Sequence, residues 1–339
     1  MLSRSRVRRG RISPARVRRT VQLAFGLFCI FCGWRFFLYY QWATGASAVY
    51  VPKPPMVEGF LPISALLGAV HFFNTGMWDP VHPAGLTIFF AALAICLLLR
   101  KGFCGYICPA GWASNLLERT GKRLGLNRSR PAPARTAVHK AIRTVLHAPK
   151  YILMAGFLWT MSTGMDARAV ESFLTGPYNM VADSKMLLFF LHPSATALTV
   201  LAVLALLSLF VSNPWCRFLC PYGALLGIAA LFSPCAVRRN AAACTGCGRC
   251  SAACPAGIAV HAQQRVNRAE CMGCTECISS CPQKDCLQVT CLNKPQYDWA
   301  IAYGTVALLW TAYLAAVWWG KWDVSIDAAL IQKLHSTMM

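Results

Sequence analysis

Acidic side chains are scarce in this chain: Asp and Glu number 12 against 33 Lys and Arg in 339 residues. Charged residues of both signs reach only 13%, where a soluble globular protein carries about 25%. So thin a charge complement argues against a freely soluble domain. A P-loop, a Gly-rich nucleotide-binding loop and a zinc-protease motif are all missing, so a soluble NTPase, dehydrogenase or hydrolase would lack its machinery. The first apolar run has no small-residue cleavage site and ends in aromatics, which marks it as a retained anchor rather than a signal peptide.

Apolar residues are plentiful, at 56% of the chain. A bilayer-crossing helix needs about 20 of them in a row. Five runs qualify, two of them with a few flanking residues: Val21–Tyr40, Ala84–Leu99, Tyr151–Met165, Ala195–Val211 and Ala300–Trp319. Of the 33 basic residues, 27 fall in 1–20, 100–150 and 213–296, and five in 41–83, 166–190 and beyond 319. The positive-inside rule then puts the N-terminus, the 100–150 loop and the region after residue 212 in the cytoplasm, with the C-terminus outside. The net charge of +21 is largely this topological bias. A nucleic-acid arm at Arg4, Arg6, Arg8, Arg9 and Arg11 is the weaker explanation of the basic start, and nucleic acid is not expected as a partner.

The strongest motif is a doubled cysteine ladder: Cys244-x-x-Cys247-x-x-Cys250-x-x-x-Cys254-Pro255, then Cys271-x-x-Cys274-x-x-Cys277-x-x-x-Cys281-Pro282. This is the ligand spacing of two [4Fe–4S] clusters, in which the fourth cysteine of each run crosses to the other cluster. Cys244, Cys247, Cys250 and Cys281 would hold one, and Cys271, Cys274, Cys277 and Cys254 the other. Zinc ribbons use CxxC pairs but do not need a third step followed by x3-Cys-Pro. Thiolate ligands suit a reducing cytosol, which argues against structural disulfides.

A second pattern is a repeat. His82-Pro83, an apolar span and Cys104-x3-Cys108-Pro109 recur as His192-Pro193, an apolar span and Cys216-x3-Cys220-Pro221, with 22 and 24 residues from His to first Cys. Each unit opens on the outer face and closes on the cytoplasmic face, making two hairpins. Cysteines four apart on a helix share a face, with Cβ atoms roughly 5–6 Å apart. Cys104, Cys108, Cys216 and Cys220 would thus form a four-thiolate site for a further cluster or for copper or zinc; small buried residues at helix ends are the plainer alternative. His82 and His192 are candidates for proton handling or, less favoured, haem ligation, set against a structural role at helix starts.

The paired Cys-x3-Cys-Pro motifs, the spans between them and the ladder resemble the membrane polyferredoxin family of NapH, NosR and CcoG types, over about residues 20–295. Glu58-Gly59-Phe60-Leu61-Pro62-Ile63 and Asp79-Pro80-Val81-His82-Pro83-Ala84-Gly85 resemble it too. The outer loop 43–83 is too short for the flavin domain of the NosR type, and only about 20 residues follow the fifth span, so the architecture is nearest the NapH type. The resemblance implies a bacterial inner-membrane protein that relays electrons between the quinone pool or a cytoplasmic donor and a periplasmic reductase. Its partners would be membrane lipid, quinone and an iron–sulfur protein or c-type cytochrome. The alternative is copper reduction or relay in metalloenzyme assembly, through the Cys-x3-Cys-Pro cysteines; a redox sensor has no partner-binding domain to support it.

The expected fold is an all-α polytopic bundle of about five transmembrane helices in two repeated hairpins, carrying an inserted bacterial 2[4Fe–4S] ferredoxin-like α+β domain. Its parts are a basic N-terminus (1–20), a first hairpin (21–99), a cytoplasmic segment with the first Cys-x3-Cys-Pro and a basic linker (100–150), a second hairpin (151–212), the second Cys-x3-Cys-Pro (213–235), the ferredoxin domain (236–296), a fifth span (297–319) and an outer tail (320–339). Cys29, Cys32 and Cys96 read as packing, and Cys235, Cys286 and Cys291 as buried thiols rather than spare ligands. Trp34, Trp42, Trp318 and Trp319 suit an aromatic belt. Asp79, Asp166, Glu171 and Asp183 read as solvated loop charge, and Arg128–Arg143, with Pro131 and Pro133, as a basic linker near anionic headgroups.

Overall fold

The computed structural model describes residues 13–127, 137–323 and 327–338. The arginines from Arg4 to Arg11, and Arg128, Pro131 and Pro133 of the linker, lie outside the described residues. In chain order the helices are α1 (Pro14–Ala43), α2 (Pro62–Thr75), α3 (Pro83–Leu99), α4 (Pro109–Arg123), α5 (Ala137–Ser162), α6 (Ala167–Leu174), α7 (Pro177–Met180), α8 (Ala182–Leu191), α9 (Ala195–Phe210), α10 (Pro221–Leu231), α11 (Arg249–Ala252), α12 (Glu276–Ser279), α13 (Ala300–Trp318) and α14 (Ala328–Met338). Four strands, β1 (Cys235–Arg239), β2 (Arg265–Val266), β3 (Leu287–Cys291) and β4 (Lys294–Pro295), form an antiparallel sheet in the order β2-β1-β3-β4.

Of the five expected spans, α1 and α13 are long and apolar enough to cross a membrane, and a third is met if α8 and α9, bent by 75° at their junction, count as one. Helix α3 is apolar on every face but has only 17 residues, about 25 Å at 1.5 Å per residue, short of a core about 30 Å thick. Helix α5 contains Pro149 and begins with a basic half.

The chain divides into two compact units, residues 1–26, 92–154 and 202–308, and residues 27–91, 155–201 and 309–339. The first unit contains the sheet, both Cys-x3-Cys-Pro segments and the ladder. Val237 of β1 faces Val266 and Val289 on its two neighbours, all three buried. Arg100, fully buried and in the left-handed region at φ 62°, ties the end of α3 to this domain. Its N–H donates to Ser233 Oγ at 3.0 Å, and its guanidinium donates to the carbonyls of Ala230 (2.8 Å) and Arg268 (2.7 Å) and to Asn267 Oδ1. Cys235 and Cys291, opposite one another on β1 and β3, are joined as a disulfide. That corrects the expectation of buried free thiols and, at this pair, the argument from a reducing cytosol against structural disulfides: adjacent strands bring these two side chains together, a pairing that a separation of 56 residues does not reveal.

The second unit has two apolar clusters. One joins Leu67 of α2, Met161 of α5, and Val170 and Leu174 of α6. The other gathers Phe36, Tyr39, Trp42 and Ala43 of α1 with Val57, and Leu187 and Ile331 pack against it. Ile331 belongs to α14, so the expected tail contributes a helix to this core. His335 of α14 is 3% exposed and meets Ser184 Oγ at 2.9 Å. Trp42 packs inside rather than in a belt, whereas Trp34, Trp318 and Trp319 are exposed. Asp166 and Glu171 are exposed as expected, Asp166 capping α6 through Ala169 N–H at 2.8 Å. Asp79 and Asp183 are buried, which overturns their assignment as solvated charge.

Candidate functional site

Both ladder runs bend alike because their glycines permit it. Gly246 and Gly273, each between the first two cysteines of a run, have φ 70° and 63°, and Gly248 and Thr275 follow at 70° and 57°. The left-handed region is open to glycine at little cost. It curls each Cys-x-x-Cys so that its cysteines line one cavity. A short helix then carries the third cysteine, Cys250 in α11 and Cys277 in α12.

Two cavities result. One is lined by Cys244, Cys247, Cys250, Cys281 and Cys286, with Arg239 and His261. The other is lined by Cys254, Cys271, Cys274 and Cys277. Each thus gathers three thiols of one run and the last of the other. Backbone donors point at the sulfurs: Ile258 N–H reaches Cys254 Sγ at 3.4 Å, and Gly246 N–H, ahead of Arg239, holds the Cys244 thiol below its ordinary pKa. Burial pushes Cys254 up to about 12 and raises Cys277 well above its ordinary value, and neighbouring thiols add to it. Thiols crowded away from water in this way are satisfied by a cationic iron core, which stabilises the thiolate. The residues fit the group.

The Cys-x3-Cys-Pro segments share one conformation, but not the straight helix expected. Phe103–Ile107 and Trp215–Leu219 are π-helical turns, closed by Cys108 N–H to Phe103 O (3.0 Å) and Cys220 N–H to Trp215 O (2.9 Å). Such turns are rare and concentrate at functional sites. Cys108 and Cys220 then cap α4 and α10, whose first residues are Pro109 and Pro221. Proline suits the first helical position because its missing N–H would find no partner there. Gly223 N–H donates to Cys220 Sγ at 3.2 Å, and the N–H groups of Gly111 and Ala110 act on Cys108 in the same sense.

Burial raises the Cys104, Cys108 and Cys216 thiols, Cys216 to about 12. Cys104 and Cys216 each feel the charge of Cys108, and Cys108 and Cys216 that of Cys220. The four expected cysteines therefore lie near one another, around the buried Lys101, whose charge opposes the rise. Among the described residues, no three His, Cys, Asp or Glu side chains gather tightly enough for one metal ion. That holds for the ladder as for these four, and a cubane spreads its ligands wider than a single ion does. The first turn abuts the second cavity: Tyr106 OH donates to Gly273 O at 2.9 Å, and a Cβ on Gly105 would lie 2.8 Å from Met272 O. Arg18, 2% exposed, pairs with Glu276 at 3.1 Å and donates to Gly105 O, as does Gln22.

The two candidate histidines have unlike surroundings. His192 is exposed. His82 is 1% exposed, with Nε2 2.8 Å from Asn179 O and Nδ1 3.4 Å from Glu58 Oε1. Such a pair, one facing solvent and the other facing oxygen atoms through both nitrogens, does not fit two axial haem ligands. Lys53 bridges Glu58 (2.8 Å) and Asp183 (3.0 Å), and a cavity of about 170 Å³ beside them is lined by Tyr39, Tyr50, Lys53, Glu58 and His335. Lys53 is the only Lys or Arg of 41–83, and that isolation is the one signal of it in the sequence.

Comparison with known proteins agrees with the motifs. A family model described as a 4Fe-4S dicluster domain matches residues 236–282, and one described as a 4Fe-4S binding domain matches twice, at 81–127 and 194–238, on the two repeats. The "Putative electron transport protein YccM" of Escherichia coli is 37% identical over 70% of this chain and 64% of its own length. The "Methylamine utilization ferredoxin-type protein MauN" of Methylorubrum extorquens is 29% identical over 58% and 62%, and the "Regulatory protein NosR" of Pseudomonas aeruginosa 28% over 42% and 18%. The chain thus spans a little under two thirds of the first two and a small part of the third. No solved structure matches it. The chain therefore carries a 4Fe-4S dicluster domain and two copies of a 4Fe-4S binding segment, and it is similar to ferredoxin-type electron-transport proteins.

Proposed function

We propose that this protein relays electrons at the bacterial inner membrane through two ladder clusters and a third at Cys104, Cys108, Cys216 and Cys220, between the quinone pool or a cytoplasmic donor and a periplasmic reductase system. The observation that carries this is the partition of the eight ladder thiols into two cavities, with the first Cys-x3-Cys-Pro turn against the second of them. Bound clusters supply one-electron carriage at potentials set by charge, hydrogen bonds and exposure. The chain's own residues hold the thiolates, aim N–H groups at them and, through Lys101 and Arg18, place buried positive charge close by. The basic-residue bias supports a cytoplasmic ladder domain and five spans, with α3 and α5 as the short or kinked members.

The quinone arm draws on the 170 Å³ cavity, whose wall pairs apolar Val81, Val181 and Leu334 with the Tyr39 and Tyr50 hydroxyls and Glu58. A quinol held there would donate a hydrogen bond to the Glu58 carboxylate, with His82 beside it as the proton acceptor, so His82 keeps its proposed role and His192 does not. Copper relay remains the alternative use of the four Cys-x3-Cys-Pro cysteines.

Iron and sulfide counting with EPR on the purified, dithionite-reduced protein tests this. About twelve irons supports three clusters and about eight the ladder alone. Copper bound stoichiometrically and lost from the Cys104/Cys108/Cys216/Cys220 quadruple serine variant would move the assignment to metal handling. Cluster reduction by a soluble quinol, slowed in Glu58→Gln, checks the quinone arm; equal rates would remove it.

A further inference from the structure

The two ladder cavities differ in one respect. The second is lined by four cysteines, the number a cubane takes, while the first is lined by five. The fifth is Cys286, which stands outside both Cys-x-x-Cys runs. It is 3% exposed, its side chain lines the same cavity as Cys244 and Cys281, and its thiol donates to Asn240 O at 3.9 Å. Its backbone is anchored, since Asn240 N–H donates to Cys286 O at 2.8 Å at the start of β3.

We propose that Cys286 is an exchangeable ligand of the first cluster, able to take the iron held by Cys281. Cys281 is the better leaving ligand. Cys281 is half-buried, its thiol contacts Gln283 O at 3.6 Å, and it precedes the exposed run Pro282–Asp285. The step balances without an external reagent. With a cluster bound, Cys286 would take the place of Cys281 on its iron, one iron–sulfur bond formed for the one broken, and the Cys286 proton would pass to Cys281. One thiolate replaces another, so cluster charge and oxidation state are unchanged. Cys254, the matching ligand of the second cavity, has no such neighbour among the residues lining it.

This exchange rests on the two-cluster assignment, and the native protein's iron content tests that separately. If the native ladder holds no iron, the assignment fails; if native iron is full, the variants decide the exchange. Cys281→Ser should keep the native iron and sulfide content and the EPR signal of the first reduced cluster. Cys281→Ser with Cys286→Ser should lose about four irons or show a three-iron signal when oxidised, and Cys254→Ser should do the same at the second site. A Cys281→Ser protein as iron-depleted as the double variant overturns the proposal. If Cys281→Ser does not accumulate in membranes, Cys286→Ala with native Cys281 decides. Its first cluster should fall to the three-iron form several-fold faster under ferricyanide, and an unchanged rate overturns the proposal.

Discussion

The phenol of Tyr106, in the first Cys-x3-Cys-Pro turn, donates a hydrogen bond of 2.9 Å to the carbonyl of Gly273, in the second ladder run. These residues are 167 apart in the chain, and the bond joins the first Cys-x3-Cys-Pro turn to the second ladder run. Tyr106 is 2% exposed and burial raises its pKa, so it stays a neutral donor across the working pH range. Tyr106→Phe keeps the ring but leaves the Gly273 carbonyl without that donor, a cost of about 1–3 kcal/mol. Thermal unfolding of the purified protein should show the loss, and an unchanged midpoint would mean that the bond does not couple the two segments.

Gly111 and Gly223 each stand three residues after the capping cysteine of a repeat. A Cβ on Gly111 would lie 2.8 Å from the carbonyl oxygen of Cys104, so Gly111→Ala must push the π-helical turn away from α4. If the four cysteines hold a third cluster, iron in that variant falls from about twelve to about eight while the ladder signals persist. A proportional loss from all clusters would indicate general misfolding instead.

Removing the Lys53 ammonium strips Glu58 and Asp183 of their shared cation. Both carboxylates are buried, and removing one partner of a buried pair costs about 3–5 kcal/mol. Lys53→Met should therefore destabilise strongly. Combining it with Glu58→Gln and Asp183→Asn should recover much of the loss, because no charge is then left uncompensated. Thermal scans of the single and triple variants read this directly, and additive losses would refute the coupling.

The same network sets a pH dependence. Burial opposes charge on His82, but the carboxylate of Glu58 outweighs it and leaves the His82 pKa above 6.5. A raised folded-state value contributes stability that is full below about 6.5 and disappears as pH climbs through the raised value. Burial also opposes charge on Glu58, but Lys53 and His82 hold its pKa below 4.5, so its contribution is present above that value and is lost as pH falls through the depressed one. Stability should decline on both sides of the mildly acidic range, and His82→Gln should remove the alkaline slope and shrink the acidic one, which Lys53 still maintains. An unaltered alkaline slope would locate the titrating group elsewhere.

Much of the site was legible because ligand chemistry is written in short-range spacing. Cys-x-x-Cys needs only a local turn, and the glycines at 246 and 273 that make the turn sit inside the motif. The Cys-x3-Cys-Pro repeat was visible for the same reason, although a straight helix was the wrong local form. Lys53, Asp79 and Asp183 were not legible. Isolated ionisable residues read as solvated until the fold removes water from around them, and that depends on packing from distant segments.

The cluster motifs, the duplicated histidine-to-cysteine unit, the apolar runs and the basic-residue bias are each a pattern along the chain and are legible without the fold. The tertiary structure decided what depends on distant segments meeting. Strand pairing set Cys235 against Cys291, and α14 packed into the second unit where a free tail was expected. The same folding brought Cys286 beside Cys244 and Cys281. Burial and contact are properties of the packed chain, and in this protein they separate a ligand from a bystander among eighteen cysteines.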